Sequence, residues 1–223
     1  MDELVILGHG SGEYIEKKSR FIAMAAEIHS EADALCRIEE TRKKYWDAKH
    51  NCYAYILGPG GQARRFSDDK EPQGTAGKPI LDVLAGANVT NILMIVTRYF
   101  GGVLLGTGGL VRAYSAASSA ALNSLKEGTC DGCLTKLLYG KSLCLSFEYK
   151  SLGQIDALAA RFGIIINSKE YLDEVVYKIT AEKSLLDNFI KEAMNATRGS
   201  LKVEIGDDMT YCIKDGIVVP YML

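Results

Sequence analysis

Between residues 63 and 117 the chain reads ARRFSDDKEPQGTAGKPILDVLAGANVTNILMIVTRYFGGVLLGTGGLVRAYSAA, its densest run of chemically capable side chains. Arg64, Arg65 and Lys78 lie in its first part with the carboxylates Asp68, Asp69 and Glu71, while Arg98 and Arg112 flank Gly101, Gly102, Gly106, Gly108 and Gly109 in its second. Guanidinium groups grip phosphate oxygens in pairs, and an ammonium adds a point charge. Glycines let backbone N–H groups converge, and a helix opening beyond them contributes the positive end of its dipole. Arg64, Arg65, Lys78, Arg98 and Arg112, with Gly106, Thr107, Gly108 and Gly109, are therefore the candidate phosphate or nucleic-acid contacts. Tyr99 and Phe100 offer a stacking surface. The competing reading is structural: glycines that only tighten a strand-to-helix turn, and cations neutralised by Asp68, Asp69, Glu71 and Asp82.

Other chemistries find less support. Counting from Gly106, Gly108 is in register for a dinucleotide fingerprint but Val111 stands where the third glycine belongs. Gly77-Lys78 is no phosphate-binding P-loop, because Pro72 takes the partner glycine's place and Pro79 that of the magnesium-binding hydroxyl. Asp68, Asp69 and Glu71 could coordinate magnesium or supply a general base, yet carboxylates in loops more often cap backbone N–H groups. No histidine lies in the segment, and Ser67, Thr75 and Thr107 lack a partner that would activate them. Cys130-Asp131-Gly132-Cys133 has zinc or redox spacing but stands alone, and His9, His29 and His50 are scattered. The residues point to binding rather than catalysis, with no metal and no cofactor.

Composition narrows the class. The chain has 223 residues, 48% hydrophobic and 24% charged, with a formal net charge of −2. That is enough apolar residue for packed cores and room for two domains. Charge is too even for a polycation, so any nucleic-acid role must rest on a local basic patch. Apolar runs are strand-sized, far short of the roughly 18 residues of a membrane span. An acidic start and sparse cysteines point to a cytoplasmic protein.

The elements that must position these residues follow from periodicity. Residues 12–28 read as a hairpin turning at Lys17-Lys18-Ser19, and Ser30 caps a helix to about 47 whose stripe is Ala34, Leu35, Ile38, Tyr45 and Trp46. A strand at 52–57, a polar loop at 58–79, a helix at 79–87, a strand at 91–97 and an Ala/Ser-rich helix at 110–125 complete the first domain, residues 1–139. Residues 140–206 then spell strand (142–147), helix (152–162), strand (from 164), strand (171–179), helix (185–194) and strand (201–205), the βαββαβ order of a ferredoxin-like domain. The tail, 207–223, holds a hairpin turn at Lys214-Asp215-Gly216. The fold class is α+β.

The runs SRFIA, NCYAY, RFSDDKEPQGTAGKPIL, VTRYFGG and LLGTGGLVRAYSAA closely resemble the YigZ/IMPACT family, and the second half is similar to the small C-terminal domain of its bacterial YigZ branch. The resemblance implies an N-terminal domain like the second domain of small-subunit ribosomal protein five, a fold shared with elongation factor G and small-molecule kinases. It also implies a C-terminal domain similar to domain five of elongation factor G. Both analogies point to RNA or the ribosome. Eukaryotic IMPACT proteins restrain a kinase that senses uncharged tRNA by acting through that kinase's activator; the extra N-terminal protein-binding domain they carry is not expected here, so that partner is not transferred. Lys70 stands where the family pattern SDDGEP has glycine, at a place where φ > 0 would disfavour a side chain. The expected function is a cytoplasmic, non-enzymatic RNA-binding or ribosome-associated regulator of translation. The alternatives are an enzyme or sensor for a small phosphorylated ligand at the glycine-rich loop, and a protein-interaction adaptor.

Overall fold

The structure is a computed structural model that describes residues 2–222. The chain forms two compact units that divide in sequence between Lys136 and Leu137.

In the first unit β1 (Leu4–Leu7), β2 (His9–Glu16) and β3 (Ser19–Glu27) precede α1 (Glu31–Lys44). Then come β4 (His50–Leu57), β5 (Ala63–Ser67), α2 (Gly77–Gly86), β6 (Ile92–Tyr99), α3 (Gly106–Glu127) and β7 (Cys133–Lys136). β1 and β7 pair as a short ribbon, and the other five strands form one antiparallel sheet in the order β2-β3-β6-β4-β5. β6 is central and buried over nearly its whole length, which is why ILMIVTRY shows no polar alternation. On one face Phe21, Met94 and Val96 pack with Ile80, Tyr114 and Ala117 of α2 and α3; on the other, Tyr55, Leu93 and Ile95 pack under Ala34 and Ile38 of α1.

The small residues of α3 let it lie very close to the sheet. A Cβ on Gly12 would sit 2.4 Å from the backbone nitrogen of Ala121, and one on Gly10 would fall 2.6 Å from the Leu125 side chain. Glycine on the strand and alanine on the helix are thus a matched pair, and any larger residue would force the layers apart.

Four expectations need correction. Residues 58–79 are not all loop, because Ala63–Ser67 pairs with β4 as the sheet's edge strand; its arginines masked an alternation that an exposed edge does not require. α3 begins at Gly106, a turn before the expected Leu110, so the glycines are the first turn of the helix itself. α1 ends at Lys44, so Trp46 lies beyond it, 82% exposed; within the helix Leu35 is 54% exposed, and Thr41 completes the buried stripe with Ala34 and Ile38. Tyr171 ends one strand rather than starting the next.

The second unit comprises β8 (Leu138–Phe147), α4 (Leu152–Phe162), β9 (Ile165–Tyr171), β10 (Val175–Glu182), α5 (Lys183–Ala196), β11 (Lys202–Lys214) and β12 (Ile217–Pro220). Its antiparallel sheet runs β12-β11-β8-β10-β9. Leu145, Phe147, Tyr177 and Ile179 pack with Ile155 and Ala159 of α4 and Phe189 and Ala193 of α5. The tail continues this sheet: β11 passes a register shift between Ile205 and Asp208, then turns at Asp215 and Gly216, both at positive φ, into β12.

Candidate functional site

Five segments end together at one end of the first unit's sheet. Strand register sets Arg20 opposite Tyr99, and Phe21 and His50 opposite Arg98. The β2–β3 turn, the start of β4, the end of β6 and the first turn of α3 therefore share this end with the 68–76 loop. Gly101 seals the arrangement: a Cβ there would lie 2.1 Å from the Lys18 backbone, so only glycine lets the chain leave β6 across the hairpin turn. That turn places Lys17 and Lys18 both at positive φ.

At the centre is Glu71, buried, with its side chain 3% exposed. Its Oε1 accepts from Arg98 Nη1 at 2.6 Å and from the Tyr114 hydroxyl at 2.9 Å, and lies 3.9 Å from His50 Nε2. Arg98 is itself 7% exposed in its side chain and held between two rings, 5.4 Å from the Phe21 centroid and 5.7 Å from that of Phe100. A buried carboxylate facing a buried guanidinium keeps both charged, where either alone would be very costly. Beneath them, the Cys52 thiol donates to the Asp68 carbonyl at 3.0 Å and lies 3.3 Å from the Tyr114 oxygen. Burial pushes the Cys52 thiol and the Tyr114 hydroxyl well above their ordinary pKa values, so neither is a ready nucleophile or base.

The other two loop carboxylates hold backbone. Asp68 Oδ1 accepts from the N–H groups of Ala76 and Gly77 at 3.0 and 2.8 Å, its Oδ2 from Gly74 at 2.8 Å, so a residue far from α2 in sequence caps that helix. Asp69 accepts from the Asn51 N–H at 2.6 Å, while the Asp69 carbonyl lies 2.8 Å from His50 Nδ1. Among the described residues no group of three or more His, Cys, Asp or Glu side chains is placed to hold a metal ion.

The five sequence-singled cations are not gathered. Arg98 lies in the centre. Arg64 pairs with Ile56 six positions along β4 from His50, roughly 20 Å away at the rise of a strand, and its Nε donates to the Gly61 carbonyl. Arg65 is also exposed on this edge strand, Lys78 pairs with Asp82 a turn along α2, and Arg112 is exposed on the second turn of α3. Tyr99 donates to Asp47 at 2.8 Å, tying the end of β6 to the α1–β4 loop, and Phe100 is 46% exposed.

A cavity of about 480 Å³ opens beside Arg98, between the end of β6 and the start of α3, lined by Lys49, His50, Glu71, Phe100, Leu105 and Thr107 among others. Gly106 and Thr107 reach it; Gly108 and Gly109 are not in its lining. Sequence reasoning passed over Tyr114, Cys52, His50 and Lys49. Tyr114 carried the one available signal, a large ring in a helix stripe of alanine and serine.

A two-unit α/β protein with an RFSDDKEPQGTAGKP loop folded over a buried arginine defines a recognisable class. Residues 17–122 match the Impact N-terminal domain, and residues 145–200 a domain of unknown function, DUF1949. The chain is 32% identical over 205 residues to the IMPACT family member YvyE of Bacillus subtilis, spanning 92% of this chain and 91% of that protein. It is 38% identical over 190 residues to the IMPACT family member YigZ of Escherichia coli, spanning 84% and 89%. A crystal structure of a hypothetical protein superposes with a TM-score of 0.56 at 35% identity over 91% of this chain and 97% of its own. The chain belongs to the IMPACT family.

Proposed function

We propose that this end of the first unit is an RNA-contacting surface, and that the protein is a cytoplasmic regulator of translation that binds RNA or the ribosome without transforming it. The observation that carries this reading is the interleaving of exposed rings and cations. Trp46 is 82% exposed next to Lys43, Lys44 and Tyr45, Phe100 is 46% exposed with Lys49 6.0 Å from its ring, and Lys17, Lys18 and Arg20 border them. Rings that stack on bases beside cations that meet phosphates are the usual way a protein holds single-stranded nucleic acid. The commitment of Asp68, Asp69 and Glu71 to internal partners supports binding over catalysis.

The first unit is read as the fold of the second domain of small-subunit ribosomal protein five. The strand order β11-β8-β10-β9 supports a ferredoxin-like second unit similar to domain five of elongation factor G, which would extend the contact. The translational part of the reading comes from the resemblance to IMPACT proteins. No described helix is long and apolar enough to cross a membrane.

The test is fluorescence anisotropy of labelled single-stranded RNA and tRNA across a salt series. Binding is expected to weaken steeply with salt. Trp46→Ala is expected to cost about 1–3 kcal/mol, and Lys44→Ala with Lys49→Ala to flatten the salt slope. Arg112→Ala is expected to weaken binding, and Arg64→Ala with Arg65→Ala, far along the sheet, to do so less. Salt-insensitive or absent binding of both RNAs would sink the reading.

A further inference from the structure

We propose that the cavity between the end of β6 and the first turn of α3 is a binding site for a single phosphorylated nucleotide, its phosphate at the helix start and its base against the apolar wall. The proposal does not rest on the RNA reading, although the cavity opens to solvent and shares Lys49 and Phe100 with the exposed surface beside it.

Three independent observations meet there. The first is an uncapped helix start. α3 is 22 residues long, its N-cap Leu105 makes no side-chain cap bond, and no acidic residue lies in its first turn. Its leading N–H groups and positive dipole end are left for an anion. The second is a buried, unfinished cation. Arg98 lines the cavity, is 94% buried, and spends Nη1 on Glu71, yet its buried Nε–H has no hydrogen-bond partner among the described residues. Buried donors are nearly always satisfied, and an exception calls for an explanation. The third is composition. Lys49, His50 and Arg98 face one carboxylate, Glu71, already shared between Arg98 and Tyr114. The remaining wall is Phe100, Leu104, Leu105 and Leu110, of which Leu104 is 84% exposed. Apolar walls with a few convergent polar groups are the usual make-up of a small-ligand pocket, and about 480 Å³ lies within the usual range.

Such a wall with a cationic end suits an aromatic base joined to a phosphate, and neither half alone. The phosphate could belong to a free mononucleotide or to the 5′ end of an RNA; the chemistry at the site is the same.

The test is calorimetric titration and thermal shift of the full chain with adenosine 5′-monophosphate, adenosine and inorganic phosphate. A short RNA with and without a 5′-phosphate completes the panel. The monophosphate is expected to bind saturably and raise Tm, with adenosine and phosphate each at least about tenfold weaker. Weaker binding by the 5′-phosphorylated RNA than by the mononucleotide assigns a free nucleotide as the ligand, and equal binding assigns the terminal nucleotide unit that the two share. Tighter binding by that RNA than by both the mononucleotide and the unphosphorylated RNA assigns an RNA terminus. The deciding variant is Thr107→Asp. An acidic residue in the first turn favours the helix, so the fold is kept, but its charge stands where the phosphate would be. Affinity for the mononucleotide is expected to fall about tenfold or more, with the Tm of the ligand-free chain unchanged. No saturable binding of the mononucleotide or of the 5′-phosphate, or binding that survives Thr107→Asp, would overturn the proposal. Retained binding of unphosphorylated RNA in that case leaves the RNA surface standing, so the two failures are distinguishable.

Discussion

Glu71 in the first unit and Asp156 in the second each accept from one cation and one tyrosine. Glu71 takes Arg98 at 2.6 Å and Tyr114 at 2.9 Å; Asp156 takes Lys169 and Tyr177, both at 2.8 Å. Each tyrosine meets a phenylalanine edge-on, Phe21 with Tyr114 and Phe147 with Tyr177, at 5.1 Å and 82° in both pairs. Each cation lies against a ring, Arg98 5.4 Å from Phe21 and Lys169 4.7 Å from Tyr177. The difference is water. Arg98 and Glu71 side chains are 7% and 3% exposed, Lys169 and Asp156 36% and 41%. The bonding is alike, so burial alone should decide how much each network matters, and the buried one is also the one beside the cavity.

The sharpest way to break this comparison is to remove one cation from each network. Arg98→Met leaves buried Glu71 without its counter-charge, and is expected to cost about 3–5 kcal/mol in urea unfolding. Lys169→Met is expected to cost below about 1 kcal/mol. Adding Glu71→Leu to Arg98→Met should recover much of the loss, because a well-packed apolar pair needs no compensation. A near-neutral Arg98→Met would show that water reaches Glu71 and that the two networks are equivalent.

Removing only the tyrosine hydroxyl sharpens the same contrast at a lower magnitude. Tyr114→Phe deprives buried Glu71 of a donor and is expected to cost about 1–3 kcal/mol. Tyr177→Phe leaves Asp156 in reach of water and should cost less. Thermal unfolding of the two variants measures both, and equal shifts would count against burial as the deciding factor.

The loops that carry the carboxylates differ too. Asp156 rides on α4, an ordinary helix, whereas Glu71 follows a turn in which Asp69 and Lys70 sit at φ 39° and 71°. An exposed lysine in that region is strained by about 1–2 kcal/mol, partly offset by the entropy a glycine would lose. Lys70→Gly is therefore expected to stabilise the first unit by about 0.5–1 kcal/mol. Destabilisation would mean that the Lys70 side chain makes a contact worth more than the strain.

How far the site was legible follows from the same residues. Elements with strong period or caps were readable: the β2–β3 hairpin, Ser30 accepting from the Asp33 N–H at 3.1 Å, the apolar β6, and the βαββαβ order of the second unit. Arg64 and Arg65 misled because adjacency to glycine and carboxylate in sequence says nothing of an antiparallel return that carries them along an edge strand. Arg98 was singled out as a phosphate contact and Glu71 as a magnesium ligand, a general base or an internal counter-charge, but sequence could not show that these two face each other; that depends on the register of β4, β6 and the loop over them. Nor could it show Asp68 capping α2, since cap and helix are separated by a loop rather than adjoining.

The smallest expected effect is in the exposed network, and it has a pH and salt signature the buried one lacks. The Lys169 ammonium, hydrogen-bonded to Asp156, holds that carboxyl below its ordinary range, with the Tyr177 hydroxyl adding to this against a partial desolvation cost. Its folded pKa is thus lower than its unfolded one, so between the two the unfolded chain binds more protons and stability rises with pH. The contribution is fully present above about pH 4 and disappears as pH falls through the lowered value. Lys169 is shifted upward by the same bond, so its share is present below the ordinary lysine range and is lost only in strong alkali. Asp156→Asn should therefore cost below about 1 kcal/mol at neutral pH, and its deficit should shrink as pH falls below about 4. The deficit should also shrink in about 1 M salt, where charges are screened within about 3 Å. The cost of Arg98→Met should persist in that salt, because no counterion reaches a carboxylate that is 3% exposed. If both costs fell together with salt, the first network would be open to solvent, and the contrast drawn from burial would fail.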